Sequence, residues 1–371
     1  MIALGLFAAF VAFSTTYYLV PLMIQVAHRL HILDNPDGKL KQHKQPTPYL
    51  GGVAVYGGLI TALALAMPFC VDFIFLIIGL TVLLFVGLID DLIALTPFQK
   101  IVGQGLAGLC FLKGGFYLKS QFLLTYDSGL YVLLIASISL LWILTIINSI
   151  NLVDVMDGLA TTIGICCVSM FAFFAWYFKN PAAFIASAAF IGSLISFFNF
   201  NKPRAQIYLG DAGSLLIGGF LAAIPSMISW GAYDSLGFLT PIIILFIPFA
   251  ELGTLILVRF IKGIPFYNGS PDHFSHYLTR AGWKVYPILA YVTVWSMLLF
   301  VVAFCYATHT ISLRITLFIG VLAVAIWWYV LFYAASTAIV AFDLFFVSLQ
   351  HRYAKSSLFV AFRVLHNLMQ K

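Results

Sequence analysis

Charge is what this sequence lacks most. Only 9% of its 371 residues are Asp, Glu, Lys or Arg, and Glu251 is its one glutamate. An average soluble protein carries about 25% charged residues. The composition therefore excludes an ordinary soluble globular protein.

Cysteine is also scarce, and where it occurs it has apolar neighbours. Such positions favour small core residues over disulfides or metal ligands. The five are Cys70, Cys110, Cys166, Cys167 and Cys305.

Long apolar runs fill most of the chain, which is 63% hydrophobic with a mean hydropathy of +1.04. In lipid such runs satisfy their backbone polar groups only as helices. The first run is uncharged and has no basic leader before it, so we interpret it as a first span and not as a signal peptide. We predict eleven spans, near residues 2–27, 49–67, 73–89, 99–112, 130–147, 158–178, 182–198, 213–229, 237–258, 285–306 and 313–335.

The distribution of basic residues predicts the orientation of these spans. If the spans alternate, 15 of the 19 Lys and Arg fall on one side, which should be cytoplasmic. The predicted fold is an all-α, polytopic integral membrane protein with about 10–11 transmembrane helices, its N-terminus outside and its C-terminus in the cytoplasm. The net charge of +6 is thus a topology signal, and no nucleic acid partner is expected.

Two regions follow from this pattern. Residues 1–342 form a transmembrane catalytic domain, and residues 343–371 form a C-terminal basic amphipathic segment on the membrane surface. Its basic residues are Arg352, Lys355, Arg363 and Lys371.

Eight of the 13 acidic residues lie in or beside loops on the same predicted cytoplasmic side, and only Asp72, Asp127 and Asp234 fall outside. Carboxylates beside many bases on one face are typical of a site for a metal ion and a polyanion. The eight are Asp34, Asp37, Asp90, Asp91, Asp154, Asp157, Asp211 and Asp272.

The most specific motif is a polar stripe at the end of an apolar run. Asn148, Asn151, Asp154 and Asp157 recur every third position, so on a helix they would lie along one face. Polar contacts between helices are the ordinary alternative, which two Asp fit poorly. The stripe predicts a bound cation, or a substrate that brings one.

Two further segments contain candidate metal-binding or phosphate-binding residues. Adjacent carboxylates at Asp90 and Asp91 repel unless a cation lies between them; a solvated helix end is an equal alternative. Lys202 and Arg204 supply charge before the glycines that flank Asp211 at a predicted helix start, where an anion can approach backbone amides. A plain helix cap is the alternative for Asp211.

Histidines mark two predicted loops. His273 and His276, three residues apart, suit donation to a pyrophosphate better than zinc binding, because no third ligand completes a zinc set. Ordinary surface histidines in a loop are the alternative. His43 lies among Lys39, Lys41 and Lys44, which form either a lid over an anionic substrate or a topology signal.

Together these segments resemble the polyprenyl-phosphate N-acetylhexosamine-1-phosphate transferases, of the glycosyltransferase 4 type, and the WecA/TagO branch more than MraY. The matching motifs are His43 with Pro46-x-Pro48-x-x-Gly51-Gly52, Asp90-Asp91, Asn148-x-x-Asn151-x-x-Asp154-x-x-Asp157-Gly158, Gly210-Asp211-x-Gly213-Ser214 and His273-Phe274-Ser275-His276.

The resemblance implies transfer of a sugar 1-phosphate from a UDP-N-acetylhexosamine, expected to be UDP-N-acetylglucosamine, to undecaprenyl or another polyprenyl phosphate. UMP leaves, and cell-envelope polysaccharide assembly begins. Mg²⁺, or Mn²⁺ in its place, is the implied cofactor. The chain would act in the inner (cytoplasmic) membrane with its site facing the cytoplasm, and a homodimer is possible.

Roles follow by resemblance. Asp90, Asp91 and Asp211 are the expected catalytic residues, and Asp91, Asp154 and Asp211 the expected metal ligands. The expected substrate-binding residues are His43, Asn148, Asn151, Asp154, Asp157, Lys202, Arg204, His273 and His276.

The sequence departs from the family pattern in four places. Tyr277 stands where a further His is usual, Ser270-Pro271 where an Asp-Arg pair is common, Glu251 where the ninth span has Asp, and Val155 where a Gly follows the stripe's first Asp. These departures affect sugar choice more than reaction class.

Three rival functions stand beside this hypothesis. The same chemistry on UDP-N-acetylmuramoyl-pentapeptide is one, and an ion-coupled transporter is the second, although its charges would lie near mid-membrane. The third, a CDP-alcohol phosphotransferase, is rejected because Thr161-Thr162 replace the Ala-Arg that its motif needs.

Overall fold

The fold of the chain comes from a computed structural model, which describes residues 1–34, 46–67, 71–118, 129–230, 237–263, 265 and 271–353. Helices make up nearly all of these residues. The elements are α1 (Ile2–Leu30), β1 (Leu33–Asp34), β2 (Thr47–Pro48), α2 (Gly51–Ala66), α3 (Val71–Ile93), α4 (Pro97–Lys113), α5 (Gly129–Val153), α6 (Leu159–Tyr177), α7 (Pro181–Asn201), α8 (Gly210–Ala223), α9 (Leu239–Ile244), α10 (Phe246–Ile261), α11 (Phe274–Arg280), α12 (Val285–Ala307) and α13 (Leu313–Tyr353).

The prediction of an all-α, polytopic membrane protein is confirmed. Eight of the described helices are long and apolar enough to cross a membrane. Each of the eleven predicted spans overlaps a helix, but α2, α4 and α10 have only 16, 17 and 16 residues. The count of eleven spans and the orientation of the termini stay predictions.

The ninth predicted span is two helices, α9 and α10, which meet at Leu245. Pro248 in the first turn of α10 has no N–H to donate to the carbonyl of Ile244, so a continuous helical ladder is interrupted there. At the C-terminal end, α13 continues to Tyr353 without a break at residue 335 or 342. Residues 354–371 lie outside the described residues, so the amphipathic segment stays a prediction.

Helix α8 is the centre of the bundle, and every residue from Ala212 to Ala223 is buried. It packs against α3 and α5, and also against α2. Small residues allow this close packing: a Cβ at Gly218 would come within 2.6 Å of the Cα of Ile147 on α5. The start of α8 is thereby fixed between the ends of its neighbours, where the polar residues lie.

The only sheet in the described residues is a two-residue antiparallel pairing of β1 with β2. The end of β2 also pairs with the segment before α8, because Tyr208 N donates to Pro48 O at 2.7 Å. The first amides of α2 then donate to Tyr208 O and Leu209 O at 3.1 and 2.9 Å. This pairing holds the entry to α8 in place.

The described cysteines form no disulfide. Cys110, Cys166, Cys167 and Cys305 are free, as the sequence predicts. Cys70 lies outside the described residues.

Candidate functional site

Asp91 joins the end of α3 to the start of α8. Its Oδ1 accepts the backbone N–H of Asp211 at 2.8 Å, and its Oδ2 accepts that of Ala212 at 3.2 Å. A carboxylate at a helix N-terminus satisfies unpaired amides and complements the helix dipole. Both oxygens of Asp91 thus have backbone donors, and its predicted role as a metal ligand stays a prediction.

Gly87, one turn before Asp91, makes this contact possible. A Cβ there would overlap the backbone of Ala212.

Gly87→Ala should therefore push α3 away from α8, lower the thermal unfolding temperature by several degrees and reduce turnover at least tenfold. Differential scanning fluorimetry and an activity assay check this. Gly105→Ala on α4 is the matched control, because nothing lies within 4 Å of its Cβ position and alanine favours helix; equal loss in both variants would contradict the packing argument.

Lys100 lies between two of the aspartates. Its Nζ is 2.8 Å from Asp90 Oδ2 and 2.7 Å from Asp211 Oδ2, and it donates to Asn151 Oδ1 at 3.1 Å. Thr96 and Gln99 form a capping box that begins α4 and sets Lys100 one turn into the helix. One ammonium therefore links α3, α5 and α8.

Lys100 is not among the site residues predicted from the sequence, where it counts only as one of the cytoplasmic bases. The signal that could have found it is the Thr96-Pro97-Phe98-Gln99 helix start shortly after Asp90-Asp91. That start turns the chain back and returns a base to the two carboxylates.

Asn151 completes the cluster from α5. Its Nδ2 donates to Asp211 Oδ1 at 2.6 Å and to Ser214 Oγ at 2.8 Å. One turn earlier, Asn148 exchanges hydrogen bonds with Gln104 at 2.7 and 3.2 Å, and Gln104 is fully buried. Because Gln104 follows Lys100 by one turn, this amide pair holds α4 and α5 in register at the Lys100 level. Gln104 was also missed by the sequence analysis.

The predicted helical stripe is only half helical. Helix α5 ends at Val153, so Asp154 and Asp157 lie in the turn that follows. There Asp157 Oδ2 accepts the backbone N–H groups of Arg204 and Ala205, both at 3.1 Å. Asp157 thus anchors the loop after α7 and does not continue a stripe.

The Asp154 carboxylate differs from those of Asp90, Asp91, Asp157 and Asp211 in its contacts. No hydrogen bond or ion pair to it is found in the described part of the chain. Burial, followed by the negative charges of Asp211, Asp91 and Asp157, raises its pKa to about 8. The negative charges of neighbouring carboxylates destabilise the ionised form of Asp154, and a bound cation would stabilise it.

The basic residues of the loop after α7 are exposed. Lys202 ends α7, and Arg204 adopts a left-handed backbone conformation, with φ at 68°. Neither side chain forms an ion pair with a described residue. Both are available to an anionic ligand.

The two loop histidines form a separate cluster with α10. His273 Nδ1 is 2.9 Å from Glu251 Oε1, and the His273 and His276 rings are 5.7 Å apart. Burial, then His273 and Arg280, lowers the pKa of His276. Within the described residues, neither histidine contacts an aspartate of the cluster around Lys100.

Tyr277 stabilises the loop before α11. Its hydroxyl donates to Asp272 Oδ1 at 3.1 Å, and Lys262 Nζ lies 2.6 Å from the same oxygen. Burial and the negative charge of Asp272 raise the pKa of Tyr277 to about 12, so its hydroxyl stays protonated and donates. At this position a tyrosine ties down the loop.

His43 and the lysines around it lie outside the described residues, so the predicted lid is not described. Asp90 and Asp211 come together through Lys100, Asp91 bonds the backbone of Asp211, and the charges of Asp91 and Asp211 act on Asp154. No three His, Cys, Asp or Glu side chains in the described ranges are grouped as a metal site. The roles of the individual site residues remain predictions.

Comparison with known proteins places this arrangement in a family. The model of glycosyl transferase family 4 matches residues 73–229, from α3 through α8. The decaprenyl-phosphate N-acetylglucosaminephosphotransferase of Mycobacterium leprae is 28% identical over 324 residues, which cover 78% of this chain and 80% of the relative.

Two other similar proteins are named for a different sugar donor. The phospho-N-acetylmuramoyl-pentapeptide-transferase of Enterococcus faecalis is 29% identical over 307 residues, 75% of this chain and 90% of the relative. That of Streptococcus pneumoniae is 31% identical over 244 residues, 58% of this chain and 71% of the relative. The matched segment contains the Asp90, Lys100, Asn151 and Asp211 cluster, and the chain belongs to glycosyl transferase family 4.

Proposed function

We propose that the chain transfers N-acetylhexosamine 1-phosphate from a UDP-sugar, with UDP-N-acetylglucosamine as the expected donor, to polyprenyl phosphate. The observation that carries this proposal is the cluster in which Lys100 bridges Asp90 and Asp211 beside Asn151. Charged groups held together where four helix ends meet suit a reaction between two anions, which needs charge neutralisation above all.

The donor set fits a divalent cation. The carboxylate of Asp154 has no hydrogen-bond or ion-pair partner among the described residues, and the charges that act on it are those of Asp211, Asp91 and Asp157. Carboxylate oxygens are the ligands that Mg²⁺ prefers. We propose that Asp154 and Asp211 hold Mg²⁺, or Mn²⁺, which would neutralise the diphosphate and the departing UMP.

Other residues of the chain would orient the carboxylates and bind the sugar nucleotide. Lys100 fixes the orientation of Asp90 and Asp211, while the exposed Lys202 and Arg204 offer charge to the sugar nucleotide. A lipid phosphate oxygen would attack the phosphorus attached to the sugar, and the bond from that phosphorus to the UMP oxygen would break. We favour this direct attack over an aspartyl-phosphate intermediate.

The cellular setting is part of the proposal. The chain is a multi-pass membrane protein, and the excess of Lys and Arg on one side supports a site that faces the cytoplasm from the inner membrane. The lipid tail would lie between helices within the bilayer. A homodimer is compatible with this arrangement.

One assay tests the reaction class and the sugar together. Purified protein receives undecaprenyl phosphate, Mg²⁺ and, in separate reactions, UDP-N-acetylglucosamine, UDP-N-acetylgalactosamine or UDP-N-acetylmuramoyl-pentapeptide. We expect UMP only when lipid acceptor, donor and divalent cation are all present, and most with UDP-N-acetylglucosamine.

The alternatives give different results in the same assay. A preference for the pentapeptide donor would support the activity named for the Enterococcus faecalis and Streptococcus pneumoniae relatives. No UMP with any donor, together with solute flux in vesicles that lack the lipid acceptor, would support a transporter instead.

A further inference from the structure

Glu251 is a buried acid that the proposed chemistry does not yet use. Its side chain is fully buried in α10, and Oε1 lies 2.9 Å from His273 Nδ1. The backbone N–H of Phe274, the first residue of α11, lies 3.4 Å from Oε1 and 3.3 Å from Oε2. A carboxylate in such surroundings is costly unless it is paired, and here both oxygens have donors.

This contact decides which nitrogen of His273 is left for other partners. An ionised carboxylate only accepts hydrogen bonds, so Nδ1 must carry the proton that lies between the two groups. No hydrogen bond to Nε2 is found in the described part of the chain, and the side chain keeps a 9% exposed fraction. The ring is therefore held at one nitrogen and open at the other.

Other contacts already hold this region together without the acid. Lys262 pairs with Asp272 just before His273, and Trp327 Nε1 on α13 donates to Thr254 Oγ1 on α10 at 3.3 Å. Phe274 also packs on the ring of Trp327, with centroids 4.9 Å apart. A buried charge at Glu251 is thus more than these helices need to stay in contact.

We infer that Glu251 is a positioning residue that acts through His273. It fixes the orientation of the imidazole and presents Nε2 to the diphosphate of the sugar nucleotide. This inference rests on the proposed function and deepens it, because it assigns a role to the one glutamate of the chain.

A double-mutant cycle tests the inference. Glu251→Gln, His273→Ala and the double variant are assayed for UMP release while UDP-sugar and polyprenyl phosphate are varied separately. We expect Glu251→Gln to lower kcat/KM for the UDP-sugar about tenfold and to leave the KM for polyprenyl phosphate unchanged. In the His273→Ala background it should cause no further loss, since the residue it positions is gone.

Thr254→Val is the matched control, because it removes a buried contact from the same helix one turn away and should keep wild-type KM values. Multiplicative losses in the double variant, or wild-type kinetics in Glu251→Gln, would overturn the inference. If the glutamine variant does not fold, Glu251→Asp carries the test: it keeps the charge but shortens the reach to His273, and it should show the same donor-specific loss. A wild-type protein that releases no UMP would instead refute the proposed function.

Discussion

Asp211→Asn is expected to abolish UMP release while the fold is kept. Asp211 Oδ1 accepts from Asn151 and Oδ2 pairs with Lys100. An amide of the same shape keeps one acceptor but loses the negative charge that Lys100 and the proposed cation share. We expect a loss of at least about a thousandfold, as when a group that stabilises transition-state charge is removed.

The measurement is UMP release at saturating Mg²⁺, with thermal unfolding as a check on the fold. Ser226→Ala, beyond the opposite end of α8, is the control, because among the described residues its hydroxyl donates only to Ala223 O, at 2.7 Å. Substantial Mg²⁺-dependent activity in Asp211→Asn would refute the assignment of Asp211 as a metal ligand. Asp154→Asn should show a similar loss if both carboxylates hold the ion.

Much of the fold could be predicted because apolar runs in lipid have few alternatives to helix. Where the structure differs, local chemistry explains the difference. Pro248 interrupts the ninth span at Leu245, and beyond the end of α5 at Val153 the Asp157 carboxylate accepts a backbone N–H from the loop after α7. That last partner lies 47 residues away, so no local pattern in the sequence announces it.

The candidate site was predictable in its residue types but not in its contacts. Adjacent carboxylates at Asp90 and Asp91 look alike in sequence, yet one pairs with Lys100 and the other caps α8, 120 residues further on. The division depends on the rotation of α3 against α8, which Gly87 permits. Spacing rules within one helix do not contain that information.

Lys100→Met is expected to lower both activity and stability, because Lys100 contacts carboxylates on two other helices. Its ammonium is the cation in contact with Asp90 and Asp211, whose side chains are 11% and 32% exposed. Without it two carboxylates repel in a partly desolvated site, and breaking such a pair costs about 3–5 kcal/mol when fully buried. We expect turnover to fall at least a hundredfold and the unfolding temperature in EDTA to drop by several degrees.

The response of the unfolding temperature to Mg²⁺ tests whether Lys100 and the proposed cation act on the same carboxylate. In Lys100→Met, Mg²⁺ should raise the unfolding temperature by more than it does in the wild type, because the ion proposed to bind Asp154 and Asp211 supplies positive charge beside Asp211, where the ammonium is missing. Lys202→Met is the matched control: it removes an exposed lysine without an ion pair among the described residues, so its unfolding temperature should stay at the wild-type value with and without Mg²⁺. An Mg²⁺ response equal to that of the wild type would mean that the lysine and the ion do not share Asp211, and it would refute the assignment of the cation to Asp154 and Asp211.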